Sequence, residues 1–160
     1  MTDVQTRSLR ATDREQWEAL WADYNAFYGR VGATALSERV IATTWARLLC
    51  SGEPVVGVVA EKEGELVGLA HCIFHRNMIQ VSDTCYLQDL FTAPSARGFG
   101  LAQRLVAKMF AICEEHGVQD MYWHTQTSNS TARRLYDRIA TNTDFLVYRV
   151  KLHQSVSGGA

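Results

Sequence analysis

Residues 90–105 read LFTAPSARGFGLAQRL. An apolar run, Leu90-Phe91-Thr92, breaks at Pro94, and an amphipathic run carrying Leu101 and Leu105 follows. Between them lies Arg97-Gly98-Phe99-Gly100-Leu101-Ala102. Glycines let consecutive backbone N–H groups turn inward with no Cβ in the way. The positive end of the next helix adds to them, so strand, glycine loop and helix together can cradle a phosphate. Two such cradles do not fit. A P-loop needs Gly-Lys-Ser/Thr after its second glycine, and the chain has Gly100-Leu101-Ala102. A dinucleotide loop has a third small residue where Gln103 stands, and an acid closing the next strand where His124-Thr125 stand. What remains is Arg/Gln-x-x-Gly-x-Gly/Ala, read either as a pyrophosphate cradle or as a plain helix-starting turn.

Outward from this joint the pattern predicts β-α-α-β-β-β-α-β-α-β. Upstream, VQTRSLR (4–10) is a short strand. Thr12 and Glu15 form a capping box for a helix carrying Trp17, Leu20, Trp21, Tyr24, Phe27 and Tyr28, which Gly29 and Gly32 end. A second helix spans Ser37 to Leu49. Val55 to Glu61 and Leu66 to Phe74 flank the turn Lys62-Glu63-Gly64-Glu65, and a further strand spans Thr84 to Thr92. Downstream come a helix closed by His116-Gly117, a strand from Asp120 to Thr125, a helix from Ser128 to Ile139 and a last strand from Phe145 to Leu152. A hairpin half passing into β-α-β units implies an α/β fold with a mixed sheet and helices on both faces. Residues 1–152 read as a single domain, with 153–160 a disordered tail.

The totals narrow the function. The 160 residues carry 16 Lys and Arg against 17 Asp and Glu, a net charge of -1 that offers nucleic acid or an anionic membrane no general attraction. No apolar run reaches the roughly 18 residues of a membrane span. The start, MTDVQTRSLRATD, has no signal-peptide core, so a cytoplasmic location is expected. Cys50, Cys72, Cys85 and Cys113 show no metal-ligand spacing, and reduced, buried thiols are expected rather than a metal site.

A second motif, NSTARRLYDRI (129–139), follows the glycine loop. Together, in this order of elements, the two resemble the GNAT superfamily of acetyl-CoA-dependent N-acetyltransferases, and the resemblance runs from the first strand to Leu152. YLQDLFTAPSARGFGLAQRL (86–105) is similar to the spermidine/spermine acetyltransferases, and LYDRIATNTDFLVYRVKL (135–152) to a subgroup with yeast histone and polyamine acetyltransferases.

The resemblance implies a GNAT fold with splayed central strands and acetyl-CoA as co-substrate. Its pyrophosphate would lie on the loop of Arg97, Gly98, Phe99, Gly100, Leu101 and Ala102. Leu90, Phe91 and Thr92 would pair with the pantetheine arm, with an amide near Leu90 facing the thioester oxygen. Asn129 and Ala132 belong with the cofactor as well. Tyr136 matches the family's general acid, which protonates the departing thiolate. The polyamine enzymes carry Leu-Glu-Asp where this chain has Leu87-Gln88-Asp89. Gln88 cannot take a proton, so Asp89 is the expected catalytic carboxylate, binding the amine and passing its proton on with water as the immediate acceptor, and Gln88 is expected only among the acceptor-binding residues. Alternation along a strand would put Gln88 and Asp89 on opposite faces. Asp23, Tyr24 and Tyr28 on the first helix could complete a pocket for a small cationic amine, although helical spacing makes the aromatic residues core candidates. His71 and His75, on the central hairpin, read as sheet histidines, and His124 is assigned no role. A protein lysine or amino terminus as acceptor, or a CoA-binding domain without turnover, are the alternatives. The family's Gly-Phe after the tyrosine helix is absent here, Ala140 standing at the glycine, and too few residues remain for its last two strands. An open sheet edge, and with it a homodimer, is therefore expected.

Overall fold

The computed structural model describes residues 4–152, so the expected tail lies outside the described residues. These form two compact units, one running to His124 and the other from Thr125 onward.

In the first unit, β1 (Val4–Ser8), β2 (Val55–Lys62), β3 (Glu65–His75), β4 (Thr84–Thr92) and β5 (Asp120–Tyr122) form a sheet in the order β1-β2-β3-β4-β5. All neighbours are antiparallel except β4 and β5, which are parallel. The unit also holds α1 (Arg14–Phe27), α2 (Glu38–Leu49) and α3 (Leu101–Glu115). Helices α1 and α2 cover one face, where Trp17, Leu20, Trp21, Tyr24 and Trp45 pack with Val59, Leu66, Leu69 and Phe91. Helix α3 covers the other. Gly68 marks how closely it approaches, because a Cβ there would meet Leu105 Cδ1 and the Phe91 carbonyl oxygen, each at 3.1 Å.

The first helix starts differently from the expected Thr12 box. A 3-10 turn over Ala11–Asp13 precedes α1, and Asp13 Oδ2 accepts the Arg10 amide at 2.7 Å. The same carboxylate takes two hydrogen bonds from Arg7 at 2.7 and 2.9 Å, and Arg7 also reaches Glu61. This part-buried ion network ties β1, β2 and the start of α1 together. Ser37 caps α2 by accepting the Val40 amide.

The second unit carries α4 (Ser130–Ile139). Asn129 is its N-cap rather than part of the helix, its side chain accepting the Ala132 amide at 3.2 Å. Ala140 ends α4 with extended backbone (φ −150°), so no left-handed glycine cap is required there. The strand expected over Phe145–Leu152 does not form. Phe145, Leu146, Tyr148 and Leu152 are exposed, and no described residue pairs with them. High strand propensity forms no strand without a neighbour to take its N–H and C=O groups. Among the described residues no helix is long and apolar enough to cross a membrane.

Candidate active site

Strand β4 is paired on both edges only at its beginning. Thr84, Cys85 and Tyr86 face Asp120, Met121 and Tyr122, and pairing with β5 stops there. From Leu87 to Thr92, β4 is bonded to β3 alone among the described strands, which frees the other edge of its backbone. This is the splay that the resemblance implies, and Leu90, Phe91 and Thr92 lie along it. β5 is correspondingly shorter than the expected Asp120–Thr125.

The β3–β4 register carries the feature that reading the sequence missed. His75 pairs with Thr84, and the count runs evenly to Cys72 opposite Leu87; then His71 pairs with Asp89. Gln88 is the extra residue of a β-bulge. Because His71 and Cys72 point to opposite faces, Leu87 and Asp89 do too, although they are two apart. Simple alternation therefore fails at Gln88, which is exposed, while Asp89 is buried at 5% exposure.

Asp89 is held in a polar cluster under α1. His71 Nδ1 lies 2.8 Å and Trp21 Nε1 3.3 Å from Asp89 Oδ2. Trp17 Nε1–H donates to His71 Nε2 at 2.9 Å. The Tyr24 hydroxyl donates to the Gln88 carbonyl at 3.4 Å and reaches the Asp89 carboxylate. Burial alone would raise the Asp89 carboxyl, but the hydrogen bond and electrostatic pull of His71, followed by hydrogen bonds from Tyr24 and Trp21, outweigh it and hold it below the ordinary carboxylate range. Burial, followed by the Asp89 charge, pushes the Tyr24 phenol up, so Tyr24 acts here as a donor. The aromatic walls are core as well: Trp17 stacks on Trp21 with ring centroids 4.9 Å apart. Of the other first-helix candidates, Asp23 is exposed, and the Tyr28 ring already carries the Arg30 guanidinium 5.4 Å from its centroid.

The loop after β4 fits a phosphate. Gly98 (φ +87°) and Gly100 (φ +70°) are left-handed, which disfavours any other residue at either point, and open space lies where their Cβ atoms would be. Gly100 is the N-cap of α3, so no side chain caps the first amides, and the first turn has no acid. Both α1 and α2 carry one, Glu15 and Glu38. Amides left without a cap, at the positive end of a helix, suit an anion. Leu101 is buried, Ala102 half-buried and Phe99 exposed. The Arg97 side chain folds back, its Nε donating to the Thr92 carbonyl at 3.3 Å and its guanidinium lying over Phe91.

In the second unit, Asn129 and Tyr136 lie on α4 and its cap. The Asn129 oxygen is used in the cap, which leaves its NH₂ for a ligand; Tyr136 and Ala132 are half-buried. Cys85 is a buried thiol: a hydrogen bond with Cys113 lowers its pKa, but one with Cys72 and burial push it up to about 12. Cys72 and Cys113 are buried too, whereas Cys50 is exposed, against expectation.

The profile of the acetyltransferase (GNAT) family matches residues 13–140, most of the chain. The chain belongs to this family. It is an acetyl-CoA-dependent N-acetyltransferase, and acetyl-CoA supplies the acetyl group as a thioester. The GNAT chain is 28% identical to the D-amino-acid N-acetyltransferase HPA3 of Saccharomyces cerevisiae over 91% of its own length and 89% of that protein's. It is 25% identical to the uncharacterized N-acetyltransferase YhfO of Bacillus subtilis, over 82% and 85%. Its fold matches the aminoglycoside acetyltransferase AAC(6')-Iy bound to a bisubstrate analogue, with a TM-score of 0.80, 17% identity and coverage of 95% and 100%.

Proposed function

We propose that this acetyltransferase acts on a small cationic amine, such as an amino-acid-like amine, a diamine or a polyamine. The observation that carries the reading is the buried Asp89 carboxylate, ionised at neutral pH and hydrogen-bonded by His71, Trp21 and Tyr24. An alkyl ammonium supplies the charge that those donors lack, and the indole and phenol rings around it suit a cation. The name of HPA3, a D-amino-acid acetyltransferase, agrees with a small amine.

In this reading the amides from Arg97 to Ala102 bind the pyrophosphate. The free edge of β4 at Leu90, Phe91 and Thr92 orients the thioester arm, together with Asn129 and Ala132. Asp89 draws the amine in and passes its proton to water. Tyr136 holds the proton that the departing thiolate takes up. Residues 1–152 act as one domain. The exposed apolar run Phe145–Leu152 supports a homodimer in which it is covered.

The test is turnover of acetyl-CoA, followed as free-thiol release, across polyamines, diamines, D- and L-amino acids, aminoglycosides and a histone-tail peptide. Small cations are expected to be acetylated, and Tyr136→Phe to lower kcat by about 10²-fold with acetyl-CoA affinity kept. Turnover with the peptide alone would move the acceptor to protein. Full kcat in Tyr136→Phe would remove Tyr136 from its role.

A further inference from the structure

His71 enters none of the steps above, yet both of its ring nitrogens are committed inside the core. The Trp17 indole N–H can only donate, so its 2.9 Å bond makes His71 Nε2 an acceptor. The ring's single proton is thereby assigned to Nδ1, from which it is donated to Asp89 Oδ2 at 2.8 Å. A second proton would have to enter at Nε2, against the indole N–H. The indole has little room to move away: Trp17 is fully buried, with Trp21 and Trp45 each 4.9 Å from it by ring centroid.

We propose that His71 is a positioning residue that Trp17 holds in its neutral, Nδ1–H form, so that the His71–Asp89 pair presents one uncompensated negative charge to the acceptor's ammonium. An imidazolium at the same place would neutralise the pair and repel the substrate. The selectivity for a cation thus depends on a tryptophan that lies one residue beyond the carboxylate's own contact. The groups facing His71 are Trp17 and Trp21 from α1, Asp89 from β4 and Gly57 opposite it on β2; behind Asp89 stands Tyr24 of α1, on which Arg30 acts from beyond the end of that helix. Asp89 and Tyr24 are the titratable members of this set. The register places His71 here through the bulge at Gln88, since without the extra residue Gln88 itself would stand opposite His71.

The proposal rests on the cationic-acceptor reading, and its first test is independent of any acceptor. Nitrogen NMR of the ¹⁵N-histidine-labelled protein at neutral pH is expected to show His71 protonated at Nδ1 and bare at Nε2, as the Trp17 and Asp89 contacts require. An Nε2–H tautomer, or a doubly protonated ring under those conditions, would overturn the proposal even if the amines turn over. The second test is kinetic. His71→Leu is expected to raise the acceptor KM by at least ~10-fold, the scale of a lost hydrogen bond to a charge, with acetyl-CoA KM unchanged. His71→Asn, which retains an N–H near the Nδ1 position, is expected to recover most of that loss. Trp17→Phe, which removes the donor to Nε2, is expected to populate other forms of the His71 ring in the same spectrum and to raise the acceptor KM. A His71→Leu protein that binds acetyl-CoA normally and keeps its acceptor KM would overturn the proposal. Failure of every amine to turn over, with the Nδ1–H tautomer intact, would instead count against the acceptor reading.

Discussion

At the scale of single residues, buried charge here is handled in two ways. Arg7 and Asp13 neutralise each other directly, with Glu61 as a third member. Asp89, by contrast, is met by an imidazole, an indole and a phenol. The hydrogen bond from Arg7, helped by the Arg10 amide, lowers the Asp13 pKa despite burial. A folded pKa below the unfolded one means stability that is complete above the unfolded value near 4 and lost as pH falls through the folded one. Asp13→Asn is therefore expected to cost roughly 2–3 kcal/mol at neutral pH and to flatten the acid limb of the melting temperature against pH. An unchanged acid limb would show that the network does not govern it. The glycine loop, Tyr136 and Asp89 could be singled out in the sequence because family motifs surround them. His71 could not: its partner is set by one extra residue in β4, and counting back from the hairpin would put Gln88 opposite it.

At the scale of elements, most of the order was legible because each segment carries its own signal. Helical spacing marks α1, a β-branched run marks β2, the turn at Lys62-Glu63-Gly64-Glu65 with the apolar run after it marks β3, and Thr84 to Thr92 is β4 to the residue. Where the reading failed, the cause lies in pairing. The span Phe145–Leu152 has strand composition but no neighbour, and Thr12 lost the cap to Asp13, whose carboxylate Arg7 also fixes. Close packing of α3 on β3 depends on Gly68. Gly68→Ala would press a methyl group against Leu105 and the Phe91 carbonyl, and is expected to destabilise the protein by about 1–3 kcal/mol in denaturant unfolding. Because Phe91 follows Leu90 on the free edge of β4, acetyl-CoA KM is expected to rise as well. A neutral substitution would mean that α3 can move away at no cost.

At the scale of the whole molecule, the sheet ends in a three-residue strand, and the chain continues into an exposed apolar run. Monomeric proteins seldom leave such a run uncovered. A dimeric mass by small-angle scattering at micromolar concentration is expected, and Val147→Asp with Tyr148→Asp is expected to reduce it to a monomer. A monomeric mass for the unaltered chain would remove the homodimer. The central claim is that a buried, ionised Asp89 receives the acceptor's ammonium, and it is tested most directly by the steady-state kinetics of Asp89→Asn. Loss of that charge is expected to raise the acceptor KM, or lower kcat/KM, by ~10-fold or more while acetyl-CoA KM stays where it was. An Asp89→Asn enzyme with an unaltered acceptor KM and kcat would contradict it.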